Sequence, residues 1–453
     1  MLENNQMSFE KRDEFKRRNI AEKIIKILNS NISTSPLVID GSWGLGKTEF
    51  CQKLIHLMSE TEEHHLIYID AFKADHADEP LLTVLAKVLE VIPDETEQKG
   101  IIQKSVPALR YGLKVGGKAL VSHILRQDAD HVLDGFENEI REVADKAIDT
   151  SVESLLKDHI EAEKNLKALQ EALQDIAEKK RIFIFIDELD RCRPDFAVQM
   201  LETIKHTFDV EGVNFVLVTN LNQLKASINH RYGESIDAQR YLDKFLKFTV
   251  TIPNTTIEHD HHSTLASIRH YRALLESSEL IKVADLAHDS DFKFVSQIIA
   301  INNLSLREVE TFVRHVEIYQ VLTNNHGLNN QVFWVYKKIR LLGILLASLK
   351  PDLANSALSN RLDAAALGEF VGVAQLPDWN DQLRHPTHLQ VIAVMLGSEC
   401  HINSESYIAQ DQQERDKWDQ EIGQYFKGIG WPPAKGERLK LLADVIQTIN
   451  LAK

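Results

Sequence analysis

Five short apolar runs punctuate the first 255 residues: SPLVID, HLIYID, RIFIFID, VNFVLVT and KFTVTIP. Continuous stretches of β-branched, aliphatic and aromatic residues suit strands that are covered on both faces. Between them the spacing changes to three and four. The segment from Pro80 to Val91 sets Leu81, Leu82, Leu85 and Leu89 on one face, and residues 8–29 read as an amphipathic helix. Strands alternating with helices predict a parallel sheet. Residues 101–180 break the alternation with helical signals only, including a stripe at Leu166, Leu169, Leu173 and Ile176. Past residue 256 the strand signals fade, and LAHDSDFKFVSQIIA, LREVETFVRHVEIYQVL and VFWVYKKIRLLGILLASL all repeat with helical period. The predicted organisation is therefore a core of residues 1–100 and 181–255, a helical insertion over 101–180, and a helical lid and C-terminal domain over 256–453.

Chemistry enters at GSWGLGKTEF, residues 41–50. Gly41, Gly46, Lys47 and Thr48 fit GxxxxGK[ST] between a predicted strand and a predicted helix, the context that gives the motif its meaning. Glycines let backbone N–H groups wrap around phosphate oxygens that a Cβ would obstruct, and the helix start adds a favourable partial charge. Gly41, Ser42, Trp43, Gly44, Leu45, Gly46, Lys47, Thr48 and Glu49 are the expected nucleotide contacts. Lys47 is expected to reach the outer phosphates, and the Thr48 hydroxyl to ligate Mg²⁺. The run IFIFIDELD delivers Asp187 to the carboxyl end of a strand with Glu188 next. Successive carboxylates divide the labour: Asp187 holds Mg²⁺ through water, and Glu188 serves as general base for the attacking water. VNFVLVTN ends in Thr219 and Asn220, where a polar side chain either orients that water or caps the helix LNQLKASI.

At this point four stretches together resemble the KAP group of P-loop NTPases: GSWGLGKT with its tryptophan inside the loop, DAFKAD, FIDELDRCRPDFAVQMLETIKHTF, and RYLDKFLKFTVTIP. They cover most of residues 15–255, and FIDELDRCxP is far more specific than GxxxxGKT alone. The resemblance implies an α/β P-loop NTPase of the ASCE type that hydrolyses ATP with Mg²⁺. Its parts are a parallel five-stranded sheet, the helical insertion and an all-α C-terminal domain. It also implies that the Walker B strand lies beside the P-loop strand, bringing Asp187 near Lys47. Arg191, in DELDRC, is then a candidate to act on phosphate in cis or across an interface, against a structural ion pair. Arg231 and Arg240 stand where related ring-forming ATPases place an arginine finger, with packing as the alternative. Arg307, in NLSLREVETF, is similar to the lid arginine that contacts the γ-phosphate in relatives. Cys192 is expected to pack. Members often carry transmembrane helices between the two Walker motifs. Here Lys104, Arg110, Lys114, Lys118 and Arg126 make the insertion too charged to span a bilayer, although an interfacial helix through Arg110, Lys114 and Lys118 is an alternative to a solvated face. Bacterial members of this kind occur in mobile elements and antiphage systems. That implies a motor or switch subunit with protein partners and a homo-oligomeric option, against a non-hydrolysing nucleotide-gated scaffold or a membrane-surface signalling protein.

Composition narrows the partners. A formal charge of -15 from 52 basic and 67 acidic residues repels nucleic acid, so direct nucleic-acid binding is not expected. Three widely separated cysteines fit a reducing compartment, and the first residues lack the apolar core of a signal peptide, so a cytoplasmic location is expected. The longest apolar run, Leu341 to Leu349, is half of what a span needs and reads as a buried helix. EHDHH, Glu258 to His262, lacks metalloprotease spacing and reads as a solvated connector, and no guanine-reading NKxD motif appears. KRRNIAEKI, ahead of the glycine loop, is placed to flank the base.

Overall fold

The computed structural model describes residues 7–77, 79–116, 152–257, 263–282, 284–287, 289–378, 386–427, 434 and 436–451. The chain divides into two compact units, Met1–Pro253 and Asn254–Lys453. In the first, β1 (Leu37–Asp40), β2 (His65–Asp70), β3 (Ile182–Asp187), β4 (Val213–Thr219) and β5 (Phe248–Thr251) form one parallel sheet in the order β2-β3-β4-β1-β5. All five sequence-predicted strands are present. Their order corrects one expectation, because the Walker B strand β3 is not beside the P-loop strand β1. β4 pairs with both and lies between them.

Period-two alternation sorts the core into two layers. Along the fully buried β3, Ile182, Ile184 and Ile186 meet one apolar cluster, and Phe183 and Phe185 meet the other. The phenylalanine layer is closed by α1 (Arg18–Leu28) and α2 (Lys47–Ser59) through Ile24, Leu28, Phe50 and Leu54. The isoleucine layer is closed by α3 (Pro80–Val91), α6 (Pro194–Thr207), α7 (Leu221–Tyr232) and the C-terminal half of α5 (Val152–Lys179). α4 (Glu95–Gly116) packs along α5, and Leu169, Leu173 and Ile176 of the predicted stripe are buried. α4 includes Arg110 and Lys114, whereas Lys118 and Arg126 lie outside the described residues, as does the segment Glu258 to His262.

The first helix is shorter than its pattern. Residues 8–29 read as helical, yet α1 starts at Arg18. The Asp13 carboxylate accepts from the Arg17 N–H at 2.7 Å and the Arg18 N–H at 3.1 Å, while Lys16 adopts a left-handed φ of 52°. A side chain that occupies the backbone donors in this way starts the helix after itself.

The second unit is helical: α8 (Ala266–Ser277), α9 (Asp289–Ile301), α10 (Leu306–Leu322), α11 (Trp334–Leu349), α12 (Pro351–Leu358), α13 (Ala364–Val371), α14 (His388–Gly397), α15 (Gln412–Tyr425) and α16 (Arg438–Ile449). A two-stranded antiparallel ribbon, 255–257 with 263–265, was not expected from the sequence. Among the described residues no helix is long and apolar enough to cross a membrane. The apolar run is buried in α11, whose Lys337 and Lys338 are buried as well. Both ammonium groups turn to Asp291 on α9, Lys338 at 2.6 Å and Lys337 at 3.4 Å. Removing a buried partner is worse than never having the pair, because a charge is left without compensation. Asp291→Asn is therefore expected to destabilise this unit by about 3–5 kcal/mol. Urea unfolding of the full chain checks it, and an unchanged midpoint would contradict the pairing.

Candidate functional site

The site assembles at the carboxyl ends of β1, β3 and β4. After β1 the chain makes the glycine loop, and Gly44 and Gly46 both take φ of 74°, a conformation that excludes most side chains. Gly41 carries no such strain. A Cβ there would meet side-chain carbons of Leu45 and Lys47 at 3.5 Å, an ordinary contact, so neither space nor backbone conformation within the chain demands a glycine at this position. Gly46 is the N-cap of α2 and supplies no side-chain acceptor, so the first amides of α2 are left for an anion. Lys47 Nζ donates to the carbonyls of Gly41 at 2.7 Å and Ser42 at 3.3 Å. Burial lowers the Lys47 pKa, while Asp190, Asp187 and Asp40 oppose that shift. The ammonium is thus held across the loop beside a ring of carboxylates.

Asp187 ends β3 and is 1% exposed. Its carboxylate accepts from the Tyr68 hydroxyl at 3.1 Å and the Glu188 N–H at 2.8 Å, and the Thr48 side chain is a further hydrogen-bond partner. Burial raises its pKa, and Thr48, Tyr68, the Glu188 amide and Lys47 pull it back. One hydroxyl and one carboxylate on adjoining elements form the donor set that suits Mg²⁺, which takes few protein ligands and fills its remaining positions with water and phosphate oxygens.

Glu188 stands in the left-handed region at φ 60°, with its N–H also directed to Val218 O on β4 at 3.2 Å. A non-glycine residue there costs roughly 1–2 kcal/mol, a strain that clusters at functional positions. The turn brings Glu188 Oε1 to 2.9 Å from Arg191, so Arg191 makes the ion pair that its sequence context allowed.

Asp190 is a hub that the sequence did not reveal. Trp43 Nε1 donates to its Oδ2 at 2.6 Å and Thr219 Oγ1 to its Oδ1 at 3.1 Å. One carboxylate thereby joins the P-loop, the Walker B turn and the end of β4. A second tie explains two further motif residues: the Arg193 backbone N–H and Nε donate to Asp75 at 3.0 and 3.1 Å, fastening RCRP to DAFKAD. Arg17 was also missed. It is 4% exposed and donates to Leu45 O in the loop at 2.7 Å and to Pro253 O at 3.2 Å.

The remaining candidates divide. Asn220 caps α7, its side-chain oxygen accepting from the Asn222 N–H at 3.1 Å, which leaves the amide NH₂ to meet a ligand. Glu49 pairs with the buried Lys53 at 2.7 Å. Arg231 binds Asp195 at 3.0 Å on the flank of α7. Arg240 is not gathered into the site: its side chain is 86% exposed and meets Asp237 at 3.3 Å. Arg307 is exposed in the first turn of α10, in the second unit. Cys51, Cys192 and Cys400 are free and buried, and burial raises all three thiol pKa values, that of Cys400 to about 12. Cys192 therefore packs, as its motif suggested.

The sequence profile of the KAP family P-loop domain matches residues 17–323, more than half of the chain. The chain belongs to this KAP family. No curated protein matches it. The KAP match begins at Arg17 and runs past Pro253 to residue 323, so it takes in α8 to α10 and Arg307, beyond the four stretches that carried the resemblance. KAP membership implies nucleotide binding, and the GxxxxGK[ST] stretch of this chain, residues 41–48, lies within the match.

Proposed function

We propose that this KAP protein is an Mg²⁺-dependent ATPase that acts as a motor or switch. The observation that carries the reading is the Asp187 carboxylate, which bonds Thr48 of the loop helix and the Glu188 amide beside Lys47. Residues 41–48 would cradle the phosphates, with Lys47 on the outer ones, and Thr48 and Asp187 would hold Mg²⁺. Bound there, the ion supplies charge neutralisation for the transferred phosphoryl group. Glu188 would take the proton of the attacking water, and its strained backbone fixes where that carboxylate starts. To do so it must exchange Arg191 for water, which gives Arg191 the task of holding the base until the nucleotide arrives. Asn220 would orient the water through its free NH₂ group. Were the protein to form a homo-oligomer, the exposed Arg240, which meets Asp237 here, would be its candidate to reach the site of a second copy. By family resemblance, the place of the protein is a cytoplasmic multi-component system in bacterial antiphage defence.

The test is phosphate release from ATP with magnesium, abolished by EDTA. Burial raises the Glu188 pKa above its ordinary 4.5, Asp187, Asp70 and Asp190 push the same way, and Arg191 opposes them. The base must be deprotonated to act, so kcat/KM for MgATP, which reports the free enzyme, should rise with pH along an acid limb displaced upward by that burial. An acid limb that persists unchanged in Glu188→Gln would remove Glu188 from the role. A second reading, a nucleotide-gated scaffold without turnover, draws support from the same ion pair, since a base held by Arg191 is not free to act.

A further inference from the structure

Arg17 is an unfavourable residue to bury. The residue is 4% exposed, and its Nε–H is enclosed with no hydrogen-bond partner. Burial lowers its pKa to about 10 despite Glu49, Asp13 and Glu14 nearby. Its position is nevertheless tightly specified. Asp13 accepts from its backbone N–H, the Phe15 ring lies 4.6 Å beneath the guanidinium, and the two terminal nitrogens reach separate carbonyls, Leu45 O and Pro253 O. Leu45 and Pro253 are 208 positions apart in sequence, and the planar fork gives each carbonyl its own nitrogen, a geometry that the single, shorter-reaching nitrogen of a lysine does not reproduce.

Each carbonyl has a consequence. In a trans peptide the C=O and the following N–H point in opposite directions. Holding Leu45 O toward Arg17 therefore turns the Gly46 N–H to the other side of that peptide, away from Arg17. Gly46 has a left-handed φ that leaves this peptide with few other restraints. Pro253 is the last residue of the first unit, and the Ile252 N–H beside it donates to Asp40 O at 2.8 Å, at the strand end where the glycine loop begins. Loop and chain exit are thus tied to one guanidinium.

We propose that Arg17 is a positioning residue that presets the Leu45–Gly46 peptide for phosphate and couples occupation of the loop to the chain segment at Pro253. The inference rests on the nucleotide-binding reading of the loop. Coupling of this kind is reciprocal: a nucleotide that favours the clamped loop also favours the clamped exit, and displacement of the exit weakens the nucleotide.

The test uses the full chain, Arg17→Lys, and a non-hydrolysable ATP analogue with magnesium, read by titration and by backbone hydrogen exchange of peptides 42–46 and 250–256. Arg17→Lys keeps the charge and loses the fork. It is expected to remain folded by thermal melting, to bind the analogue about tenfold more weakly or worse, and to exchange faster at both peptides before nucleotide is added. In wild type the analogue should slow both peptides, and in Arg17→Lys it should no longer slow 250–256. Wild-type affinity in the variant, or the same protection of 250–256, overturns the proposal. Should Arg17→Lys not fold, wild type decides alone: a bound analogue that protects 42–46 and leaves 250–256 unchanged also overturns it. Failure of the nucleotide reading looks different, because wild type then binds no analogue. In that event equal nucleotide-free exchange in wild type and Arg17→Lys would dispose of the clamp as well.

Discussion

Glu188→Gln should lower the rate of ATP hydrolysis by roughly 10²- to 10⁴-fold, the usual range for loss of a general base, while ATP affinity stays within a few-fold of wild type. Glutamine keeps the length and shape of the side chain and still accepts from Arg191, so the left-handed turn that carries it is undisturbed. What is lost is the ability to accept the proton from water. Phosphate release and nucleotide titration on the same preparation separate the two effects. If wild type and Glu188→Gln release phosphate equally slowly, the glutamate is not a working base, and the scaffold reading replaces the ATPase.

Lys47→Ala should act on the earlier step and weaken nucleotide binding by roughly a hundredfold or more, given about 1.5–3 kcal/mol for each hydrogen bond from a charged donor. The ammonium bridges Gly41 O and Ser42 O and is the positive charge facing Asp40, Asp187 and Asp190. Without it, the outer phosphates lose their ammonium partner and meet these carboxylates with Mg²⁺ alone between them. A titration showing wild-type affinity in a folded Lys47→Ala protein would mean that the loop does not hold the outer phosphates.

Much of this architecture was legible because buried parallel strands leave an unmistakable trace. RIFIFID is apolar on both faces, and β3 is buried along its length between the two layers. α10 occupies the very run LREVETFVRHVEIYQVL, since a capping box from Ser305 to Glu308 starts it where the periodicity begins. Strand order was not legible, because runs of similar composition carry no record of which neighbour they pair with. The insertion of β4 between β3 and β1 is a property of the crossovers. In the site, Gly41 to Thr48 and Asp187 to Glu188 stood out through fixed spacing. Asp190 and Arg17 did not, since each is one charge within a run of charges and its partners lie far away in sequence: Trp43 and Thr219 for Asp190, Leu45 and Pro253 for Arg17. The arginines carried over from relatives are placed differently, which their spacing in the sequence does not foretell. Arg191 meets Glu188, whereas Arg240 lies exposed beside Asp237.

The three native thiols offer a practical opening. Cys51, Cys192 and Cys400 are at most 6% exposed and resist ionisation near neutral pH. Maleimide dyes need an accessible thiolate, so they should pass over the wild-type chain. A cysteine engineered onto the surface of each unit would then be the sole point of attachment there, and fluorescence ruler measurements with and without added nucleotide could begin without first stripping out the natural ones.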